Sequence, residues 1–281
     1  MVTLMAYVAK FLNARDVSAD YASQIRKRCR SFVRFCRRSV KVSEIDAAMV
    51  NAWLKDLQDR RLSPVTVDGY RRNLLVVWRA AVEDGLTDTL PVRVRKIKIP
   101  RRMIEAYTMT ELRALLTAAG KLKGCHSNGN RRADFWQAFI HAGYSTALRR
   151  SDLLLVFRCQ IDPGGMAAVV QHKTGEAVRV RFSQQALQFA HRLCDRSGLL
   201  LPWPYRKDAL APRFRAIRKA AGINRGSFKW IRRSAASYAE RLQCGAGTKI
   251  LGHRGAGVFR SHYEDWNITQ DAPVSDRKSV V

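Results

Sequence analysis

Apolar residues recur at three- and four-residue steps through much of the first ninety positions. Tyr21, Ile25, Cys29, Phe32 and Cys36 mark one such face within residues 18–38, the spacing of one side of a helix. Arg26, Arg30, Arg34 and Arg37 repeat with the same period on an adjacent face, so one side packs and the other presents cations. A second helix is predicted after Ser63-Pro64, with Val65, Tyr70, Leu74, Val77, Trp78 and Ala81 as its apolar stripe, Arg71 and Arg72 beside it, and Gly85 as its stop. Val42 to Leu57, with Met49, Val50, Trp53 and Leu54, reads as a third. Residues 1–90 are therefore expected to form a small all-helical bundle.

The pattern breaks at Pro91. The segment PVRVRKIKIPRR carries Arg93, Arg95, Lys96, Lys98, Arg101 and Arg102, and residues 91–104 read as a basic interdomain linker. Its alternation of Val and Arg leaves a short edge strand as the other reading. Patterning beyond it is mixed. Thr108-Met-Thr-Glu111 is a capping box that opens a helix through Ala119. An apolar helix follows over 131–148, with Phe135, Phe139 and Ala142 inside. From Leu154 to Phe182, short runs broken by Asp162-Pro-Gly-Gly165 and Lys173-Thr-Gly175 predict three short strands joined by two turns. Helices resume at 184–195, 207–221 and 227–242. The fold class that follows is mainly α with a small antiparallel β-sheet (α+β). An N-terminal helical bundle precedes a mixed domain over 105–266 and a tail over 267–281.

Composition adds the partner. The chain has 281 residues, 47% of them hydrophobic, which is enough for a packed core. Its formal net charge is +28. About +12 lies before position 104 and +16 after it, so the charge belongs to the body of the protein and not to a tail. Such an excess predicts a polyanion, and nucleic acid first, because repeated phosphates reward many Lys and Arg contacts at once. No apolar run approaches the roughly 18 residues of a membrane span. The mildly apolar N-terminus lacks the basic region of a signal peptide. Six cysteines form no C-x-x-C pair, which disfavours a zinc ribbon or a disulfide framework and fits reduced thiols in a cytoplasm. No phosphate-cradling G-x-x-x-x-G-K-[ST] run occurs. No cofactor and no metal are expected.

Four separated pieces carry candidate chemistry. They are Thr146-Ala-Leu-Arg149-Arg-Ser-Asp152, then His172-Lys173-Thr-Gly175, then Lys229-Trp-Ile-Arg232-Arg-Ser234, and finally Leu251-Gly-His253 followed by Tyr263. In this order they resemble the tyrosine recombinase (phage integrase) family. That family's pattern is T-G-L-R-x-x-E/D, a lysine in a hairpin turn, H-x-x-R-H-S/T, L-G-H, and a tyrosine nine or ten residues further on. Here 83 residues separate Arg149 from Arg232 and ten separate His253 from Tyr263.

The resemblance covers essentially the whole chain. It implies a helical core-binding domain and a mixed catalytic domain closed as a C-shaped clamp on DNA. The implied activity is site-specific recombination, with duplex DNA cut and rejoined through a 3′-phosphotyrosyl link on Tyr263. Integration, excision and resolution all remain open, in the cytoplasm of a prokaryote or of a mobile element's host. Four strand cuts on paired sites imply a tetramer on DNA, and the tail is expected either to dock on a neighbouring protomer or to stay disordered.

The chemistry needs these residue types. Arg149 and Arg232 suit the non-bridging oxygens of the phosphorane, because guanidinium stays charged and forks onto phosphate. Arg150 and Arg233 are the register alternatives. Lys173 suits proton donation to the leaving 5′-oxygen, and His253 a hydrogen bond to the phosphate or help with the tyrosine proton. Asp152 is expected to orient an arginine. Lys229 stands where the family pattern has histidine; it keeps a donor but is a poor proton acceptor at its ordinary pKa of about 10.4. Ala147 stands in place of the usual glycine. The expected DNA contacts outside this centre are Arg26, Arg30, Arg34, Arg71, Arg72, Arg95 and Lys98. Two other functions fit the same motifs: a DNA-binding protein that has lost catalysis, and a type IB topoisomerase-like relaxing enzyme.

Overall fold

The protein is described by a computed structural model that covers residues 2–100, 103–194, 196–252 and 255–269. The chain divides into two compact units, one ending at Arg102 and the other beginning at Met103.

In the first unit α1 (Leu4–Asn13), α2 (Ala19–Cys36), α3 (Ala47–Asp59) and α4 (Pro64–Glu83) surround a single core. Each begins at a side chain that accepts from an otherwise unpaired N–H: Thr3, Ser18, Asp46 and Ser63. Phe32 and Trp53 pack edge to face at 5.3 Å, and Trp53 meets Tyr70 at 5.9 Å. The helix α1, which the sequence pattern did not single out, buries Leu4, Tyr7, Val8, Phe11 and Leu12 in this core. Several details differ from expectation. The third predicted helix starts only after Asp46, because Val42–Glu44 is a separate 3-10 turn. Arg37 takes a left-handed conformation that ends α2. Val65 is 57% and Tyr21 37% exposed, so neither belongs to the packed stripe. The segment after Pro91 forms no strand among the described residues, and Val94 and Ile97 pack into the first unit's core. Arg101 and Arg102 lie outside the described residues.

The second unit is built on α5 (Met109–Gly120), α6 (Arg132–Thr146), α8 (Gln184–His191), α9 (Leu210–Ala220) and α10 (Phe228–Leu242). The Thr108/Glu111 capping box opens α5 as its sequence predicts. Phe139 of α6 stacks on Phe228 of α10 at 4.2 Å, and Phe214 of α9 meets Phe228 edge-on at 5.5 Å. Between the helices stands one antiparallel hairpin, β1 (Met166–Val170) and β2 (Ala177–Arg181), with Ala168 opposite Arg179. The third expected strand shrinks to two isolated bridges, Phe157 to Leu199 and Ile161 to Ala167. The reason is that the chain from Leu153 is spent on the end of the short α7 (Arg150–Leu153) and a 3-10 turn at Arg158–Gln160. Three short helices close the unit: α11 (Ala246–Ile250), α12 (Ala256–His262) and α13 (Trp266–Thr269). With Ile268 and Thr269 buried in α13, the folded unit continues past residue 266, where the sequence pattern ended it. Residues 270–281 lie outside the described ones. Among the described residues no helix is long and apolar enough to cross a membrane.

His126 yields a pH prediction. It is 5% exposed among Phe135, Trp203 and Tyr205, and neither ring nitrogen has a hydrogen-bond partner. Burial first, then Arg132 and Arg213, pushes its pKa down to about 4. The unfolded imidazole takes up a proton near pH 6.5 and the folded one does not. Stability from neutral His126 is therefore complete above that pH and is lost as pH falls toward 4, by about 3 kcal/mol. Urea unfolding of wild type and His126→Leu should diverge in pH slope by that amount between pH 7 and 4. Parallel slopes would contradict it.

Candidate active site

The site grows out of two backbone features. At the end of α6 Ala147 adopts the left-handed conformation at φ 50°, and Gly252 does the same at φ 65° after α11. Thr146 supports the first turn by bonding Ala142 O and the N–H of Leu148. These turns bring the carbonyls of Ala147 and Leu251 to the buried end of Arg232. That residue is 3% exposed and donates Nη1 to Ala147 O and Nη2 to Leu251 O, the latter at 3.1 Å. Burial lowers the Arg232 pKa from its usual value, with Tyr263 opposing, yet guanidinium remains charged. Arg233 points the other way, to His262 O at 3.2 Å and Glu105 O at 3.0 Å.

The remaining groups assemble around Arg232. Arg149 caps the start of α7, with its Nη1 3.8 Å from the buried Asp152 Oδ2; Asp152 Oδ1 also accepts the His172 N–H at 3.3 Å. Arg150, the register alternative, is exposed, though it also lines the cleft. Lys173 rides the turn from β1 to β2, a turn closed by Gln171 N–H to Glu176 O at 2.9 Å. Tyr263 ends α12 and is 8% exposed. Lys229 Nζ and Arg232 Cζ each lie 5.3 Å from the centre of its ring. Its main chain is held by Phe259 O at 2.8 Å and by Ser237 Oγ at 3.1 Å.

Arg149, Lys173, Lys229, Arg232 and Tyr263 all line one cleft of about 610 Å³ within the second unit. Arg150, Arg215 and Arg218 line it too, and among the described residues no acidic one does. A concave surface of this kind suits a phosphodiester and repels nothing about it. Tyr263 is the tyrosine among its lining residues. Tyr205 instead accepts the Ser127 N–H at 3.1 Å, and the hydroxyl of Tyr144 reaches Met109 Sδ at 3.6 Å. Lost solvation draws the Lys229 pKa below its ordinary value. Tyr263 opposes that shift, and Arg233, Lys173 and Arg232 reinforce it. A larger fraction of Lys229 is therefore neutral at a given pH than of a free lysine. His253 lies outside the described residues.

Sequence patterning missed several participants. Arg215 and Arg218 carried no motif. Gln171 sits two residues before Lys173 as an apparently ordinary strand-end residue. Asp265, beside the tyrosine, buries its carboxylate against the Ala106 N–H at 2.7 Å and takes Ser237 Oγ on its own N–H at 2.9 Å. The signal available was Asp265's position two residues after Tyr263, but charge alone gave it no role.

Gly252 is under the tightest constraint. A Cβ there would strike Val178 of β2 and stand 3.0 Å from Gln171 Nε2, at a backbone angle that L side chains resist. Gly252→Ala should cost about 2–4 kcal/mol through strain and overpacking. Chemical denaturation checks this, and a loss below about 1 kcal/mol would mean the turn relaxes freely.

The expected DNA contacts of the first unit divide. Arg26, Arg30 and Arg34 line the exposed side of α2, and Lys98 is exposed in the following segment. Arg95, also exposed, spends its N–H on Asn51 Oδ1 at 3.0 Å and its guanidinium on Gln58 Oε1. Arg71 departs most from expectation. Its side chain is only 15% exposed and lies 3.7 Å from Asp68, which also binds Arg72 at 2.8 Å. The acid one turn earlier on α4 draws Arg71 inward and leaves Arg72 as the outward cation.

Residues 3–99 match the family described as the phage integrase SAM-like domain. No curated protein sequence matches the chain. Among solved structures, a lambda integrase dimer bound to a COC′ core site superposes with a TM-score of 0.77 at 18% identity, covering 94% of this chain and 78% of that one. A lambda integrase tetramer bound to a Holliday junction matches with a TM-score of 0.76 at the same identity and coverage. The integrase of the Tn1549 transposon, in complex with circular intermediate DNA, matches at 0.72 and 13% identity, covering 93% of this chain and 95% of that one.

Proposed function

We propose, from a match to the phage integrase SAM-like domain over residues 3–99 and a fold shared with integrases bound to DNA, that the chain is a tyrosine recombinase that cuts and rejoins duplex DNA through Tyr263. The observation that carries the reading is the cleft in which one tyrosine meets five arginines, Arg149 and Arg232 among them, and two lysines. In this reading the Tyr263 hydroxyl oxygen attacks phosphorus and forms a 3′-phosphotyrosyl bond while the bond to the 5′-oxygen breaks. Lys173 on its turn gives that oxygen a proton. Arg149 and Arg232 bind the non-bridging oxygens, whose charge grows toward the phosphorane, and Asp152 orients Arg149. Lys229, with its lowered pKa, and His253 share the phosphate contact and the tyrosine proton. A free 5′-hydroxyl reverses the sequence on a new partner. Because the covalent link conserves the bond energy, rejoining needs no nucleotide.

DNA is the partner that the +28 charge and the DNA-bound relatives favour. Arg26, Arg30, Arg34, Arg72, Arg95 and Lys98 of the first unit supply sequence-independent phosphate contacts, while Arg71 contributes to packing. Both units are proposed to contact the duplex, with four copies gathering on paired sites as in the lambda integrase tetramer. The reaction takes place in the cytoplasm of the cell that carries the element.

The test is a nicked duplex drawn from the DNA flanking the gene, on which a cleaved strand end is lost and the covalent complex accumulates. An SDS-resistant protein–DNA adduct is the expected result. Binding without an adduct would return the chain to a DNA-binding role. Relaxation of supercoils that carry no paired sites would instead favour a topoisomerase.

A further inference from the structure

A buried primary amide has two donors and an acceptor to satisfy, so the partners of one at a charged cleft carry information. Gln171 is 1% exposed. Its Oε1 accepts from Arg149 Nη1 and from Thr174 Oγ1, the latter at 3.3 Å. Its Nε2 donates to Leu251 O at 3.2 Å. That same carbonyl accepts Arg232 Nη2 at 3.1 Å. The two guanidiniums come from helices 83 residues apart and repel each other; this amide and the shared carbonyl hold them in one framework. The main chain of Gln171 extends the framework to the lysine. Its N–H bonds Glu176 O at 2.9 Å and its carbonyl accepts the N–H groups of Thr174 at 3.2 Å and Gly175 at 2.8 Å, closing the turn that carries Lys173.

We propose that Gln171 is a positioning residue that fixes Arg149, Arg232 and the Lys173 turn as one preorganised phosphate-binding unit. The inference rests on the reading of those three cations as the groups that act on the scissile phosphate. Glutamine suits the place for two reasons. Glutamate keeps an acceptor for Arg149 but loses the donor to Leu251 O, and it sets a negative charge beside the phosphate. Leucine keeps the volume and loses both bonds. Preorganised electrostatic sites are sensitive to such loosening, because a misplacement of about 1 Å costs on the order of 100-fold in rate.

The experiment uses the full-length chain with Gln171→Leu and Gln171→Glu. It measures duplex affinity, thermal melting and the single-turnover rate of adduct formation at saturating nicked duplex. Affinity within about threefold of wild type and a rate down about 100-fold in both variants are expected. A merely structural residue would lower melting and affinity along with rate. The Glu variant adds a second readout. Protonated glutamic acid reproduces the amide's donor and neutral charge, so its rate relative to wild type should rise as pH falls. A Gln171→Leu rate within threefold of wild type overturns the proposal. If that variant fails to fold, a flat pH ratio for Gln171→Glu overturns it equally. Failure of the functional reading is distinguishable, since wild type itself would then form no adduct at Tyr263.

Discussion

Tyr263→Phe should form no SDS-resistant adduct on the nicked duplex while binding it within about threefold of wild type, a loss of at least about 10⁴-fold in cleavage. The substitution removes one oxygen and little else. The ring is 8% exposed, and Lys229 and Arg232 approach it at 5.3 Å through its π-face electrostatics, which phenylalanine retains. The main chain stays fixed by Phe259 O and Ser237 Oγ. Melting should therefore fall by no more than the equivalent of one lost hydrogen bond, about 1 kcal/mol. Normal adduct formation by the variant would mean a different nucleophile, and with it a different site.

Arg232 is expected to be nearly as consequential. In Arg232→Lys the ammonium is a single point of charge where the native fork serves two carbonyls and the cleft together. Adduct formation should fall by about 10²–10³-fold with duplex affinity little changed, because removing one preorganised donor to a developing oxyanion costs that much. Arg232→Ala should also destabilise the fold, since the buried carbonyl of Ala147 loses the Arg232 donor at about 1–3 kcal/mol, while Leu251 O keeps Gln171 Nε2. The lysine variant separates chemistry from folding. Wild-type cleavage by Arg232→Lys, measured at saturating DNA, would remove Arg232 from the phosphate-binding role.

Much of the scaffold was legible along the chain because helix initiation is local. Ser63-Pro64 and the Thr108/Glu111 box announce α4 and α5, and the side chains that cap them lie within three residues of the groups they satisfy. The hairpin turn around Gly175 was legible for the same reason. The neighbouring strand was overcounted, because a short apolar run looks alike in a strand and in the end of a helix, and only the pairing partner decides. Arg71 was misread as surface because periodicity places residues on faces without saying which acid, here Asp68, holds them.

The order and spacing of the four motifs were a property of the linear chain, and Arg149, Lys173, Lys229, Arg232 and Tyr263 from those motifs line one cleft. The choice between Arg232 and Arg233 was not. Adjacent helical residues differ by about 100°, and which of the two faces the cleft depends on carbonyls 85 and 19 residues away, at Ala147 and Leu251. Gln171 and Asp265 were hidden for the same reason. Their roles consist of bonds to Leu251, 80 residues on, and to Ala106, 159 residues back. Local patterning determines which segments form helices and which residue types arrive together. Only tertiary packing, by burying polar groups that must then find partners, decides which of those residues share one cleft.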